Sequence, residues 1–393
     1  MSLRADISAS RIPLRAFVAE GLFWGAFAAY VPSIKSAVGL SDADFGLALL
    51  FGALGAVSAM WIAPLADRRF GPWAMSVGAV LMAAAFLLPG LMTSWLCLSL
   101  ALFLAMSTSG MLDVIMNARL SGIEVASGRS LMNLNHAIFS FAYAGSAMLG
   151  GVLREFGISA FTYFAGLGLV TIWLAAGLRH EAAQSQASDG QTTVPSLPKV
   201  MIALAGLVTL IGFMVEQATE GWSALHLERA MNAGAAEGAM GPAILGLTMG
   251  IGRLSGQFIV RVMSEGAVLR IAALLAACGA VLAAWAPTQV LVYAGFAILG
   301  AGVSVTAPTT FAWIGKTVAP QQRTVAISRV VVIGYTGFFM GPPLMGFLAQ
   351  GFGLPVAFTV LGGLLSLIAL VLVPILRHLA RRQARGAQDA AAV

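Results

Sequence analysis

Apolar runs about 20 residues long, enough for a helix to cross the hydrocarbon core of a bilayer, recur along this chain with short polar breaks between them. They stand near 13–34, 45–66, 72–92, 95–118, 131–152 and 158–178. After a longer break they resume near 199–225, 243–263, 271–287, 288–315, 330–350 and 352–376. A backbone in lipid must satisfy its own hydrogen bonds, so each run is read as a helix. The predicted fold class is all-α and integral to the membrane, with twelve spans as six plus six. Charge is scarce to match. Only 10% of the 393 residues are Asp, Glu, Lys or Arg, against about 25% in a soluble domain. That is too little to clothe a water-soluble surface, which excludes a soluble enzyme domain or a secreted module. The first run lacks a small-residue cleavage site and reads as a retained helix rather than a signal peptide.

The longer break, 181–198, is rich in Ser, Gln and Pro and reads as a flexible cytoplasmic linker. It separates an N-terminal six-helix bundle, 1–180, from a C-terminal bundle, 199–393, that ends in a basic cytoplasmic tail. The net charge of +6 follows from topology. Twelve spans place both termini on one side. Of the 22 Lys and Arg residues, Lys35, Arg154 and Arg229 fall on the other side and Arg253 falls inside a span, leaving eighteen on the side of the termini. The positive-inside rule makes that side the cytoplasm of a cell (inner) membrane protein, and a nucleic-acid partner is unnecessary. Cys97 and Cys278 lie far apart in apolar runs with no CxxC and no nearby His. They read as packing residues, so no disulfide and no metal site is expected.

The halves repeat one another. Gly46-Leu-Ala-Leu-Leu-Phe-Gly52 returns as Gly246-Leu-Thr-Met-Gly-Ile-Gly252, and Gly145 to Gly157 returns as Gly341 to Gly353. Each copy sits on the same ordinal helix of its half, and at the second offset Glu20 of span one aligns with Glu216 of span seven. Ala63-Pro-Leu-Ala-Asp67-Arg68-Arg69-Phe-Gly71 follows span two, and Gly341-Pro342-Pro343-Leu-Met-Gly346 lies in span eleven. These segments resemble the major facilitator superfamily. Leu112-Asp113-Val-Ile-Met-Asn117-Ala, the stretch from Gly128-Arg129 to His136 and Ser140, and Glu216 followed by Trp222 resemble its rhizopine-permease-like branch. The loop here begins with Ala63 and ends in Pro72-Trp73, where the family usually has Gly and two basic residues. The resemblance implies two pseudo-symmetric bundles around a central cavity. It also implies that spans one, two, four, five, seven, eight, ten and eleven face the cavity and the rest pack outside, with Asp67, Arg68 and Arg129 as gating candidates.

An ionisable group at bilayer depth costs about 2.5–3.5 kcal/mol on insertion scales, which makes it a functional candidate. Glu20, Asp113 and Glu216 lie deep in spans one, four and seven, with Glu220 nearer the outer end. Arg253 is deep in span eight and His136 lies in span five. Glu20 and Glu216 form a pseudo-symmetric pair. Either can carry a coupling proton or touch substrate, Glu216 being placed first, or each can cap a helix or pair with Arg253 for structure alone. Asp113 and Asn117 share a helix face and suit a polyhydroxylated solute, a proton, or a clamp to a neighbouring span. His136, Ser140 and Tyr143 form a polar stripe open to substrate binding, proton relay or a structural bond to span four. Arg253 keeps its proton, so it needs a carboxylate or an anionic ligand. Trp24, Phe27, Trp222, Trp313 and Tyr335 suit stacking on a solute as well as packing.

The chain shows no GxSxG, HExxH or GxxxxGK[ST] motif, so neither an enzyme nor an ATP-driven pump is read from it. The expected function is secondary active transport of a small polar solute (sugar, cyclitol or similar) by alternating access, as proton symport. Proton-coupled export of amphiphilic or drug-like compounds is the alternative. The expected drive is the proton gradient with no cofactor, and the partners are the solute and the lipid bilayer, for a monomer.

Overall fold

The computed structural model describes residues 3–180, 197–319 and 322–391. All but the last two residues of the 181–198 connector lie outside the described residues. After a short surface helix, Leu3–Ala9, the N-terminal half contains α1 (Arg11–Val38), α2 (Asp42–Phe70), α3 (Ala74–Phe86), α4 (Trp95–Ser127), α5 (Met132–Glu155) and α6 (Ala160–Ala175). The C-terminal half contains α7 (Lys199–Ala230), α8 (Ala235–Val262), α9 (Glu265–Trp285) and α10, which runs as Gln289–Val303 and Thr306–Thr317. It ends with α11 (Arg323–Phe352) and α12, which begins as Leu354–Leu367 and continues through Val373–Ala391. These are the twelve spans in two six-helix bundles.

Local chemistry sets the ends. Ser41 caps α2 by accepting from the Asp44 N–H, and Ser94 and Ser159 do the same for α4 and α6; a cap hydroxyl answers one of the N–H groups that a helix start leaves without a partner. Gly39 ends α1 in the left-handed region at φ 69°, which costs glycine nothing. Within each half the tightest packing joins α1 to α5, α2 to α4, α7 to α11 and α9 to α10. The halves meet along α2–α11 and α5–α8. At the first seam a Cβ on Gly46 would stand 2.6 Å from the Pro342 carbonyl oxygen, and one on Gly346 2.6 Å from that of Asp42. The repeated glycines therefore let backbones of opposite bundles touch.

Polar ties make the two faces of the protein unlike. At the face opposite the termini, Arg229 on α7 donates to both carboxylate oxygens of Asp42, at 2.9 and 2.8 Å. Arg154 on α5 bonds Glu228 on α7. Two side chains cap helices of the other bundle: Gln350 accepts from the N–H groups of Asp42 and Ala43, and Glu155 from that of Ala236. At the face of the termini the ion pairs stay within a half, as in Asp67–Arg119, Asp6–Arg129 and Glu265–Lys316. No ion pair joins the halves there among the described residues. Cys97 and Cys278 are free and exposed on the outer surface, not packed inside as their apolar surroundings suggested.

Candidate functional site

Between the bundles lies a cavity of about 320 Å³, within the usual range for small-molecule sites. Its walls come from α1, α2, α4 and α5 on one side and from α7, α8 and α11 on the other. Among the described residues, helices α3, α6, α9 and α12 contribute nothing to it. Neither does α10, contrary to expectation. Thr306 of α10 sits against Gly212, and the Thr306 and Thr310 hydroxyls bond carbonyls of their own helix. Thus α7 stands between α10 and the cavity, and Trp313 packs toward Gly266 of α9 instead.

Glu20 is 4% exposed and lines the N-terminal wall. Its Oε1 accepts from the Ser109 hydroxyl at 2.5 Å, and Ser109 accepts from the Trp24 indole N–H at 3.0 Å. Its Oε2 is buried without a partner. Ser109 escaped the sequence reading, although it lies four residues before Asp113 and extends the same helix face back through Asn117. Asp113 also lines the wall. Its Oδ1 accepts from Asn117 Nδ2 at 2.7 Å, and Asn117 Oδ1 lies 3.2 Å from His136 Nε2. Asn117 itself stands behind the lining. It clamps α4 to α5 and orients Asp113. The edge of the Phe17–His136 ring pair, at 4.9 Å between centroids, holds the imidazole from the other side.

On the opposite wall Arg253 donates to Glu216 Oε1 at 2.9 Å and to Ser140 Oγ at 2.5 Å. The guanidinium therefore binds α7 and reaches across to α5. Gln217 and Glu220, both missed as site residues, also line the cavity; Glu220, four residues beyond Glu216, shares its face of α7. Glu220 has no hydrogen bond or ion pair among the described residues, whereas Glu216 has Arg253. Tyr335 lines the wall from α11 and packs on Phe213 and Phe338, each at 5.7 Å.

Besides Asn117, four of the expected site residues fall outside the cavity lining. Trp222 is fully buried and edge-on to Phe45 of α2 at 5.6 Å. Six residues beyond Glu216 is about 240° around a helix, so its ring faces away from the cavity. Of the two gating candidates in α2, Asp67 pairs with Arg119 at 2.5 Å and Arg68 makes no ion pair among the described residues. The two sit in the last turn of α2 on different sides of the helix. Arg129 bonds Asp6 of the short first helix at 2.6 Å, a partner in its own half. No cluster of His, Cys, Asp or Glu suited to a metal occurs among the described residues.

The sequence model of the Major Facilitator Superfamily matches residues 265–392. An uncharacterized MFS-type transporter of Yersinia pestis is 30% identical over 368 residues, which is 90% of this chain and 92% of that one. Membrane protein MosC of Rhizobium meliloti is 29% identical over 345 residues, covering 86% and 83%. Among solved structures, a bacterial homolog of the human lysosomal transporter Spinster, inward-facing and occupied, superposes with a TM-score of 0.75 at 16% identity over 98% of each chain. The nucleoside transporter NupG gives 0.73 at 14% identity over 96% of this chain and 99% of that one. The identity to the two structures is low enough that they speak for the fold alone, whereas the Yersinia relative spans nearly the whole sequence. The chain belongs to the Major Facilitator Superfamily, as a multi-pass membrane transporter and not an enzyme.

Proposed function

We propose that the chain moves a small organic solute across the inner membrane by alternating access, coupled to proton movement, with both termini in the cytoplasm. The cavity then opens inward, because the ties between the bundles gather at the face opposite the termini. Each chain works alone, since one chain supplies every wall. The observation that carries proton coupling is Glu20. It is a buried carboxyl with, among the described residues, no Lys or Arg paired to it and one oxygen without a partner. Burying a charge without a counter-charge is costly, and taking up a proton removes that cost. Glu216, placed first on sequence grounds, spends its charge on Arg253 and fits a structural or gating pair better.

The polar-solute reading draws on the carboxyl groups and Gln217 that point into the cavity. The amphiphile reading is favoured by the remainder of the lining, which is mostly aliphatic and aromatic. A thermal-shift screen of the purified protein against sugars, cyclitols and lipophilic cations separates the two. The stabilising compound is then followed into proteoliposomes. Glu20→Gln is expected to reduce accumulation driven by an imposed pH gradient to background and to leave any remaining solute exchange independent of pH. Full accumulation by that variant would remove Glu20 as the proton carrier.

A further inference from the structure

The two bundles charge the cavity unequally. Four carboxyl groups line it, Glu20 and Asp113 on the N-terminal wall and Glu216 and Glu220 on the C-terminal wall, against the one guanidinium of Arg253. Arg253 belongs to the C-terminal wall and is committed to Glu216. The N-terminal wall therefore presents two acids and no Lys or Arg. Each acid has one oxygen engaged, Glu20 Oε1 by Ser109 and Asp113 Oδ1 by Asn117. Each also has one oxygen unclaimed. Glu20 Oε2 is buried on a residue only 4% exposed and has no partner. Asp113 Oδ2 accepts no hydrogen bond among the described residues. Ser109, which donates to Glu20, stands one helical turn before Asp113 on α4, so the two acids share one stretch of the wall.

We propose that the transported solute carries an ammonium group, held between Glu20 Oε2 and Asp113 Oδ2, and an apolar body packed on the aromatic lining. Trp24, Phe17 and Phe139 lie on the same wall, and Phe213, Phe338 and Phe339 face it from the other bundle. An ammonium head answers both free oxygens, each of which needs a donor, and aromatic faces attract cations as well as apolar surface. An anion offers the two free oxygens no donor, and a neutral polyol offers donors without the counter-charge that lets Glu20 and Asp113 ionise inside the wall. Asn117 and His136 act as positioning residues, because Asn117, held by His136, engages Asp113 Oδ1 and leaves Oδ2 without a hydrogen bond among the described residues. This inference rests on the transport reading for its premise that the cavity is the solute's path. Ammonium and proton then exclude one another on Glu20, so they cross in opposite senses.

The test uses the full chain in detergent and matched compounds that share a carbon skeleton. Ethylamine, 2-phenylethylamine and 1-naphthylmethylamine are each compared with the corresponding alcohol, and 2-phenylethylamine also with phenylacetate. Binding is read by calorimetry and by tryptophan fluorescence. The expected result is that the aromatic amines bind at least tenfold more tightly than their alcohols, that ethylamine binds more weakly than either, and that phenylacetate does not bind. Glu20→Gln and Asp113→Asn, each checked for an unchanged far-ultraviolet spectrum, are expected to erase most of the preference for amine over alcohol. The proposal is overturned if alcohols match amines, if phenylacetate binds best, if no amine binds, or if both variants keep the preference. Binding of amines without proton-driven flux in proteoliposomes would uphold the site while removing the coupled reading, so the two failures are distinguishable.

Discussion

Glu20 and Glu216 occupy equivalent places in the two repeats, and the structure gives them opposite company. Glu216 meets a guanidinium at 2.9 Å that is itself tied to Ser140 of the other bundle. Glu20 meets a hydroxyl at 2.5 Å and, behind it, an indole N–H. Duplication thus preserves depth and residue type, while the neighbouring helices assign the chemistry. A carboxylate beside a fixed cation is locked into an electrostatic joint between elements. A carboxyl held only by neutral donors stays free to exchange a proton or a cation with the cavity. The two repeats are therefore one scaffold with two different tasks.

The comparison can be broken by changing the company of either acid. The largest effect is expected from Arg253→Gln, which leaves Glu216 in the cavity wall without its cation and should destabilise the protein by about 3 kcal/mol, seen as a lower thermal midpoint in detergent. Adding Glu216→Gln to that variant should recover most of the loss, because no uncompensated charge then remains. If the single variant melts with the parent, the pair contributes nothing and the contrast between the two acids fails. Next comes Ser109→Ala, which strips Glu20 of its donor. A cost of about 1.5 kcal/mol is expected in chemical denaturation, together with weaker proton-driven transport. Trp24→Phe should have the smallest effect, about 0.5 kcal/mol, since it removes only the donor to Ser109 and keeps the ring against Phe86 and Phe27. A loss for Trp24→Phe larger than that for Ser109→Ala would place the important contact on the indole rather than on the hydroxyl.

Several of these residues are legible in the chain itself. Glu20, Asp113, Glu216 and Arg253 stand out because a charge inside an apolar run is costly wherever the run sits. The i, i+4 link from Asp113 to Asn117 follows from helix geometry alone. Other residues are silent. Ser109 looks like any small hydroxyl in a membrane helix until Glu20, 89 positions away, is brought to it. Arg119 reads as a topology cation until the fold delivers Asp67 from 52 positions away. Trp222 shares a helix with Glu216, but rotation about the helix axis turns it toward Phe45. Helix α10 counts among the cavity helices by family resemblance, yet α7 stands between it and the cavity.

What the amino-acid sequence determined by itself is residence in the membrane, the number of spans, their duplication and the sidedness of the charge. Hydrocarbon penalises each polar group on its own, so these properties add up residue by residue and need no knowledge of neighbours. What only the tertiary structure decided is which acid finds a cation, which keeps an oxygen free, and which face of the molecule is tied shut. Those outcomes depend on short-range contacts between helices, such as the 2.9 Å from Arg253 to Glu216 and the cap that Gln350 lends to Asp42 from 308 residues away. Electrostatic and hydrogen-bond energies fall steeply over a few ångströms, and a position in sequence does not fix separations that small.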